Sequence, residues 1–417
     1  MTGKAPCPAP PTVPPRVLVA TQQLGAQVVH GTHRVGLDIL AALTQAGVAV
    51  SALSFRSDAY LPTIDDIPLD GVHVARIHHG RAVRAAVQRH ITWPALAARV
   101  RQDLRAPLHL LRADPDPDLI LINGLAAAPL AALRTGALGR CPRVLVVHSS
   151  PRHAPSAAWL RNATKVIRDC EQLVFVSARG MREWQEITAV PAARCRTIRN
   201  CVGERRTARA LAQPRESLLR IVEMDPADYN LVCVATIQPR KGQDVLVRAA
   251  ERLQRRVPRL KVHLIGPTPP SGDGWGEALR RQVQQRGLEQ LVRFRGPIDD
   301  PCPYMQAADA VVLPSRAEAF PLTTLEAMAL GRPVIASRVD GVEEQITDGE
   351  HGLLVPVDEP DALAAAIAQL HGDPVRALRL GTAAQARYRA HFSRARFNAA
   401  YAELVIEQLA KHLRSIA

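Results

Sequence analysis

Ala310-Val311-Val312-Leu313-Pro314-Ser315-Arg316-Ala317-Glu318-Ala319-Phe320-Pro321-Leu322-Thr323-Thr324-Leu325-Glu326-Ala327-Met328-Ala329-Leu330-Gly331-Arg332-Pro333-Val334-Ile335 reads as strand, loop, helix and strand in succession. The flanking runs Ala310–Leu313 and Pro333–Ala336 are short and wholly apolar, as strands buried on both faces of a parallel sheet are. Pro321 suits the first position of the intervening helix. The loop therefore stands where a strand's C-terminal end meets a helix N-terminus. Unpaired N–H groups and the helix dipole favour an anion there. Glu318 falls in the loop and Glu326 about two turns further on. Carboxylates are acceptors, so both suit hydrogen bonds to hydroxyl groups rather than to the anion itself.

The same grammar recurs on either side. Leu231-Val232-Cys233-Val234-Ala235 leads through Thr236-Ile237-Gln238-Pro239-Arg240-Lys241-Gly242 into a helical stretch, and Lys261–Gly266 and Val292–Phe294 are further strands. In the first half, Arg16–Ala20, Val48–Leu53, Leu119–Ile122, Arg143–Val147 and Leu173–Val176 are strands, with a helix over Val35–Gln45 stopped by Gly47. Alternation of this kind builds an α/β doubly wound sheet, here twice in series. The pattern lapses into polar, Arg-rich sequence between Gly203 and Asn230, which marks the boundary. The expected organisation is a disordered Pro-rich leader (1–15), an N-terminal Rossmann-like domain (16–205) and a second one (206–392). A C-terminal helix (393–417) follows and returns toward the first domain. Ligands of such folds sit at strand C-terminal ends, here in the cleft between the two units.

Composition narrows the classes. At 417 residues the chain exceeds one hydrophobic core, and 47% apolar with 22% charged residues is globular. No apolar run is long enough to span a bilayer. The seven cysteines are scattered and include no C-x-x-C pair, which points to a reducing, cytoplasmic setting and away from a disulfide framework or zinc site. Of the net charge of +14, residues 1–205 carry +11, much of it between Arg76 and Arg112. That excess is either compositional, since only five residues are lysine, or it attracts an anionic acceptor or a membrane surface. Nucleic acid is disfavoured, because Trp93 alone among the aromatic residues lies between the arginines of that stretch. Asp65-Asp66 and Asp299-Asp300 read as turn residues, and no D-x-D pair suggests a divalent metal.

The block Ala307–Pro356, with Glu318 and Glu326 as an E-x7-E pair, resembles the retaining GT-B glycosyltransferases of family 4, the group 1 transferases. The resemblance implies two Rossmann-like domains facing a central cleft and transfer of a sugar from a nucleotide-sugar donor with retention. It implies no cofactor and no metal. By the same resemblance Glu318 holds donor sugar hydroxyls, Glu326 holds the ribose, and Lys241 offsets the charge of the leaving diphosphate. The resemblance also implies that His148 lies near the transferring sugar as a further catalytic residue. Arg240, Phe320, Leu322, Thr323 and Gly31 are expected to complete the donor site, with hydroxyls of Thr323 or Thr324 available to the phosphate. Ser177 and Asn200 match family positions of a structural kind.

Three departures stand out. Thr236 occupies a position five residues before the lysine where an arginine is common, leaving Arg240 as the second cation or as a surface arginine. Pro321 replaces a common glycine, and His30 stands at the first of two loop glycines, which puts the phosphate role of the loop Thr21–His33 in question. The acceptor is expected on the N-terminal domain, either a small polar molecule such as a polyol, aminocyclitol or sugar phosphate, or a lipid-linked one at an anionic membrane face. The alternative function is a catalytically silent relative that activates a second transferase.

Overall fold

The computed structural model describes residues 14–21, 31–54, 73–76, 117–125, 141–269 and 274–416. Most of the leader, most of the loop Thr21–His33, the basic stretch from 77 to 112, Asp65-Asp66 and Cys7 lie outside the described residues.

Two parallel sheets carry the chain. The first has seven strands in the order β3-β2-β1-β4-β5-β6-β7 and the second six in the order β10-β9-β8-β11-β12-β13. The first comprises β1 (Arg16–Thr21), β2 (Ala49–Ser54), β3 (His73–Arg76), β4 (Leu119–Asn123), β5 (Arg143–Val147), β6 (Gln172–Phe175) and β7 (Cys195–Thr197). The second comprises β8 (Tyr229–Val234), β9 (Leu260–Ile265), β10 (Val292–Gly296), β11 (Ala310–Leu313), β12 (Val334–Ser337) and β13 (Leu353–Val355). Every strand read from sequence is present within two residues at either end. The sequence reading lacked β3, β7 and β13, of which the last two are only three residues long.

The expected lapse between Gly203 and Asn230 is corrected. It holds two helices, Glu204–Leu211 and Arg215–Ile221, whose arginine-rich outer faces mask buried Thr207, Ala210, Leu218 and Leu219. Both pack on the helix Cys302–Ala307 of the second unit. Pro321 is corrected by one position: it caps the helix Leu322–Ala329 from outside, with Leu322 the first helical residue.

The largest apolar cluster runs from β1 and β4 through the helix Gly31–Gln45 and the two connecting helices into β11, β12 and the final helix Arg394–Ile416. Gly31–Gln45 is buried from His33 to Leu43 because the sheet covers one side and Arg394–Ile416 the other. Each Leu buried there removes apolar surface worth roughly 1.5–3 kcal/mol. Asp38, fully buried on that helix, pairs with Arg394. Among the described residues no helix is long and apolar enough to cross a membrane.

Candidate active site

Strand ends and helix starts from both units line a cleft of about 560 Å³, within the range of small-ligand sites. Of the nine predicted site residues, Gly31, His148, Arg240, Lys241, Glu318, Phe320, Leu322, Thr323 and Glu326 all stand on its wall.

Lys241 reaches Glu318 because two loops touch. After β8 the chain turns through Pro239–Lys241 and leaves by Gly242 at φ +66°, where a Cβ would lie 1.9 Å from the Pro314 carbonyl oxygen. Only glycine permits that approach. It places Lys241 Nζ 2.6 Å from Glu318 Oε1, which also accepts from Ser315 Oγ at 2.8 Å. Arg240 lies 3.6 Å from the other carboxylate oxygen and donates to the Ala317 carbonyl at 2.8 Å. Burial would raise the Glu318 pKa, but the charges of Lys241 and Arg240 and the hydrogen bonds outweigh it, so Glu318 is held below the ordinary carboxylate range.

Glu326 is set differently. It too is buried, and its described side-chain partner is Arg206, whose Nη2 is 3.3 Å away. Burial dominates, and Arg206 and Arg34 offset it only in part, so its pKa is raised. Arg206 also donates to the Asp299 carbonyl at 3.0 Å, tying Glu326 to the loop after β10. Sequence reasoning missed Arg206, since it lies in the stretch taken for a lapse and its partner is 120 residues away.

The helix Leu322–Ala329 aims its N-terminus into the cleft with no side-chain cap. Gly31 faces it across the cleft, since a Cβ on Gly31 would come 3.8 Å from Leu322 Cδ1. The Thr323 hydroxyl is engaged with the Val234 carbonyl at 3.1 Å, and Thr324 is fully buried away from the cleft wall. An anion here would therefore meet backbone N–H groups rather than donated threonine hydroxyls. The Phe320 ring packs on Phe392 at 5.7 Å, and Asn200 Nδ2 donates to its carbonyl at 3.0 Å. Ser177 caps the helix Ala178–Thr188. His148, after β5, is held by Asn123 at 2.7 Å, and burial together with His33 lowers its pKa to about 4. Among the described residues no group of three or more His, Cys, Asp or Glu converges as a metal site would.

Two Rossmann-like units facing a cleft, with a carboxylate–lysine pair and an open helix N-terminus on its wall, define a protein of the GT-B architecture. Family models match both units: Glycosyltransferase Family 4 over residues 29–206 and Glycosyl transferases group 1 over residues 228–373. The chain belongs to this glycosyltransferase family. Its relatives include the D-inositol 3-phosphate glycosyltransferase of Thermomonospora curvata, 35% identical over 189 residues, or 42% of this chain and 44% of that one. Another, from Catenulispora acidiphila, is 39% identical over 163 residues, 37% of this chain and 38% of that one. The matched stretch spans less than half of either relative. Among solved structures, Anabaena HepE in complex with UDP and glucose superposes with a TM-score of 0.75 at 22% identity, covering 94% of this chain and 99% of that one. Sucrose-phosphate synthase from Thermosynechococcus elongatus gives 0.76 at 22% identity, covering 97% and 100%. These likenesses establish the fold.

Proposed function

We propose that this chain transfers a sugar from a nucleotide-sugar, a UDP-sugar, to an acceptor hydroxyl with retention of anomeric configuration and without a metal ion. The contact of Lys241 with Glu318 beside the open N-terminus of Leu322–Ala329 carries this reading. A diphosphate at that N-terminus would have Lys241 within reach as negative charge develops on the leaving group. Glu318 and Glu326, two turns apart, would then accept from the sugar and ribose hydroxyls respectively. The C1–O bond to the phosphate breaks, the acceptor oxygen bonds to C1 on the same face, and its proton passes to the leaving phosphate. Glu318 and Glu326 are both assigned to donor hydroxyls, which leaves no carboxylate among the predicted site residues for the nucleophile of a double displacement and favours this course. HepE has been captured with UDP and glucose, and the inositol phosphate transferases act on a phosphorylated cyclitol, so a small polar acceptor is the favoured class.

The test is transfer and hydrolysis by the purified protein with UDP-, GDP-, ADP- and dTDP-sugars, in chelator and with added Mg²⁺, with the product anomer read by NMR. A covalent sugar trapped on the protein, an inverted product or dependence on the metal would each overturn the corresponding part. Turnover of none of these donors, while UDP still raises the melting temperature, would favour the silent, activating relative. A lipid-linked acceptor would show instead as salt-sensitive binding to anionic vesicles.

A further inference from the structure

Three neighbouring strands of the first sheet, β1, β4 and β5, end at one place, and the strand order reverses direction there. Their last residues, or the next one along, are Thr21, Asn123 and His148. Asn123 is almost fully buried at this point. Its Nδ2 donates to the Thr32 carbonyl at 2.9 Å and approaches Thr21 Oγ1 at 3.3 Å. A carbonyl oxygen can only accept, so this bond fixes which end of the Asn123 amide is nitrogen. The other end, Oδ1, is therefore the atom 2.7 Å from His148 Nε2. An amide oxygen accepts only, and Nε2 must carry the proton. Gly36 makes room for the arrangement: a Cβ there would lie 2.7 Å from Asn123 Nδ2.

The geometry points to Asn123 as a positioning residue that fixes His148 as the neutral Nε2–H tautomer and leaves Nδ1 to accept a hydroxyl in the cleft. His148 forms part of the cleft wall, so the ring meets ligand as an acceptor and not as an acid. The titratable group facing it is His33 from the helix Gly31–Gln45, which together with burial opposes a positive charge on the ring. The second sheet supplies a built-in reference. There Asn230 Nδ2 donates to the Asp225 and Asp228 carbonyls, its Oδ1 lies 2.9 Å from His263 Nε2, and Arg295 Nε donates to His263 Nδ1 at 3.2 Å. The same amide logic operates at both places, but at His263 an arginine occupies the nitrogen that His148 keeps for ligand.

The inference rests on the transferase reading only for its kinetic arm. In the full-length protein labelled with ¹⁵N-histidine, His148 should show a protonated Nε2 whose proton exchanges slowly with solvent and an unprotonated Nδ1, as should His263. Asn123→Leu should abolish the slow exchange at His148, spare it at His263, and lower kcat about tenfold with KM for the donor little changed. Asn123→Asp keeps an acceptor at Nε2 and adds charge, so the His148 pKa and the acid limb of kcat should move up. A proton on Nδ1 in the unmodified protein, a cationic ring at neutral pH, or slow exchange persisting in Asn123→Leu would each overturn the inference. If no donor is turned over, the transferase reading falls and the tautomer is decided by the spectra alone.

Discussion

Glu318 and Glu326 stand eight residues apart at one loop and helix, yet the protein surrounds them in opposite ways. The first is met by lysine, arginine and serine from its own unit, and its charge is secured before any ligand arrives. The second is equally buried but is met by Arg206, from the helix that joins the two units, and its proton is held more tightly than usual. A carboxylate locked by its own loop is pre-organised, while one completed by the connecting helix depends on how the units sit. That contrast orders the consequences of substitution.

Lys241→Met should have the largest effect. It removes the cation proposed to face the leaving diphosphate, and we expect transfer to fall on the order of 10³-fold. It also strands a buried carboxylate, which should destabilise the fold by about 3 kcal/mol in a urea titration. Adding Glu318→Gln should restore most of that stability without restoring transfer. If the double variant is no more stable than the single one, the pair is not what secures the loop.

Glu326→Gln comes next. It should raise KM for the donor by about 10- to 100-fold while kcat changes little, as expected for loss of a hydrogen bond to a charged group. A matching fall in kcat would move Glu326 from binding to chemistry and erase the contrast with Glu318. Arg206→Met should weaken UDP binding less, and in a pH-dependent way. With Arg206 gone the raised Glu326 pKa climbs further, so calorimetry should show affinity falling sooner as pH is lowered from ~8 to ~5. A pH-independent loss would mean that Arg206 only positions the connecting helix.

The smallest expected effect is on stability alone. His148 and His263 are lowered from 6.5 to about 4 in the fold, chiefly by burial. The unfolded chain thus binds more protons than the folded one as pH drops from 6.5 toward about 4, and the melting temperature should fall across that window. Glu318 acts lower: its depressed pKa contributes stability above the ordinary carboxylate value, lost as pH falls through the folded one. His263→Gln should flatten the upper window without touching donor binding.

The course of the chain from β11 to β12 was legible because buried parallel strands are unbroken apolar runs and because Pro321 marks the start of the helix between them. The Lys241–Glu318 pair was legible as chemistry but not as a contact, since the contact depends on Gly242 lying against Pro314. Cys195–Thr197 was not legible because an edge strand of three half-buried residues leaves no apolar run. Arg206 and Asn123 were hidden for a different reason. Each acts through a partner distant in sequence, and nothing in the local pattern of either residue announces it.

The pairing of Asp38 with Arg394 spans 356 residues. During synthesis at about 10 residues per second the carboxylate waits roughly half a minute for its guanidinium. Throughout that interval the first helix lacks the cover that Arg394–Ile416 later provides. The ribosome thus delivers the strands of the first sheet well before the helix that closes over them, and the face of Gly31–Gln45 turned away from that sheet stays open until Arg394–Ile416 emerges.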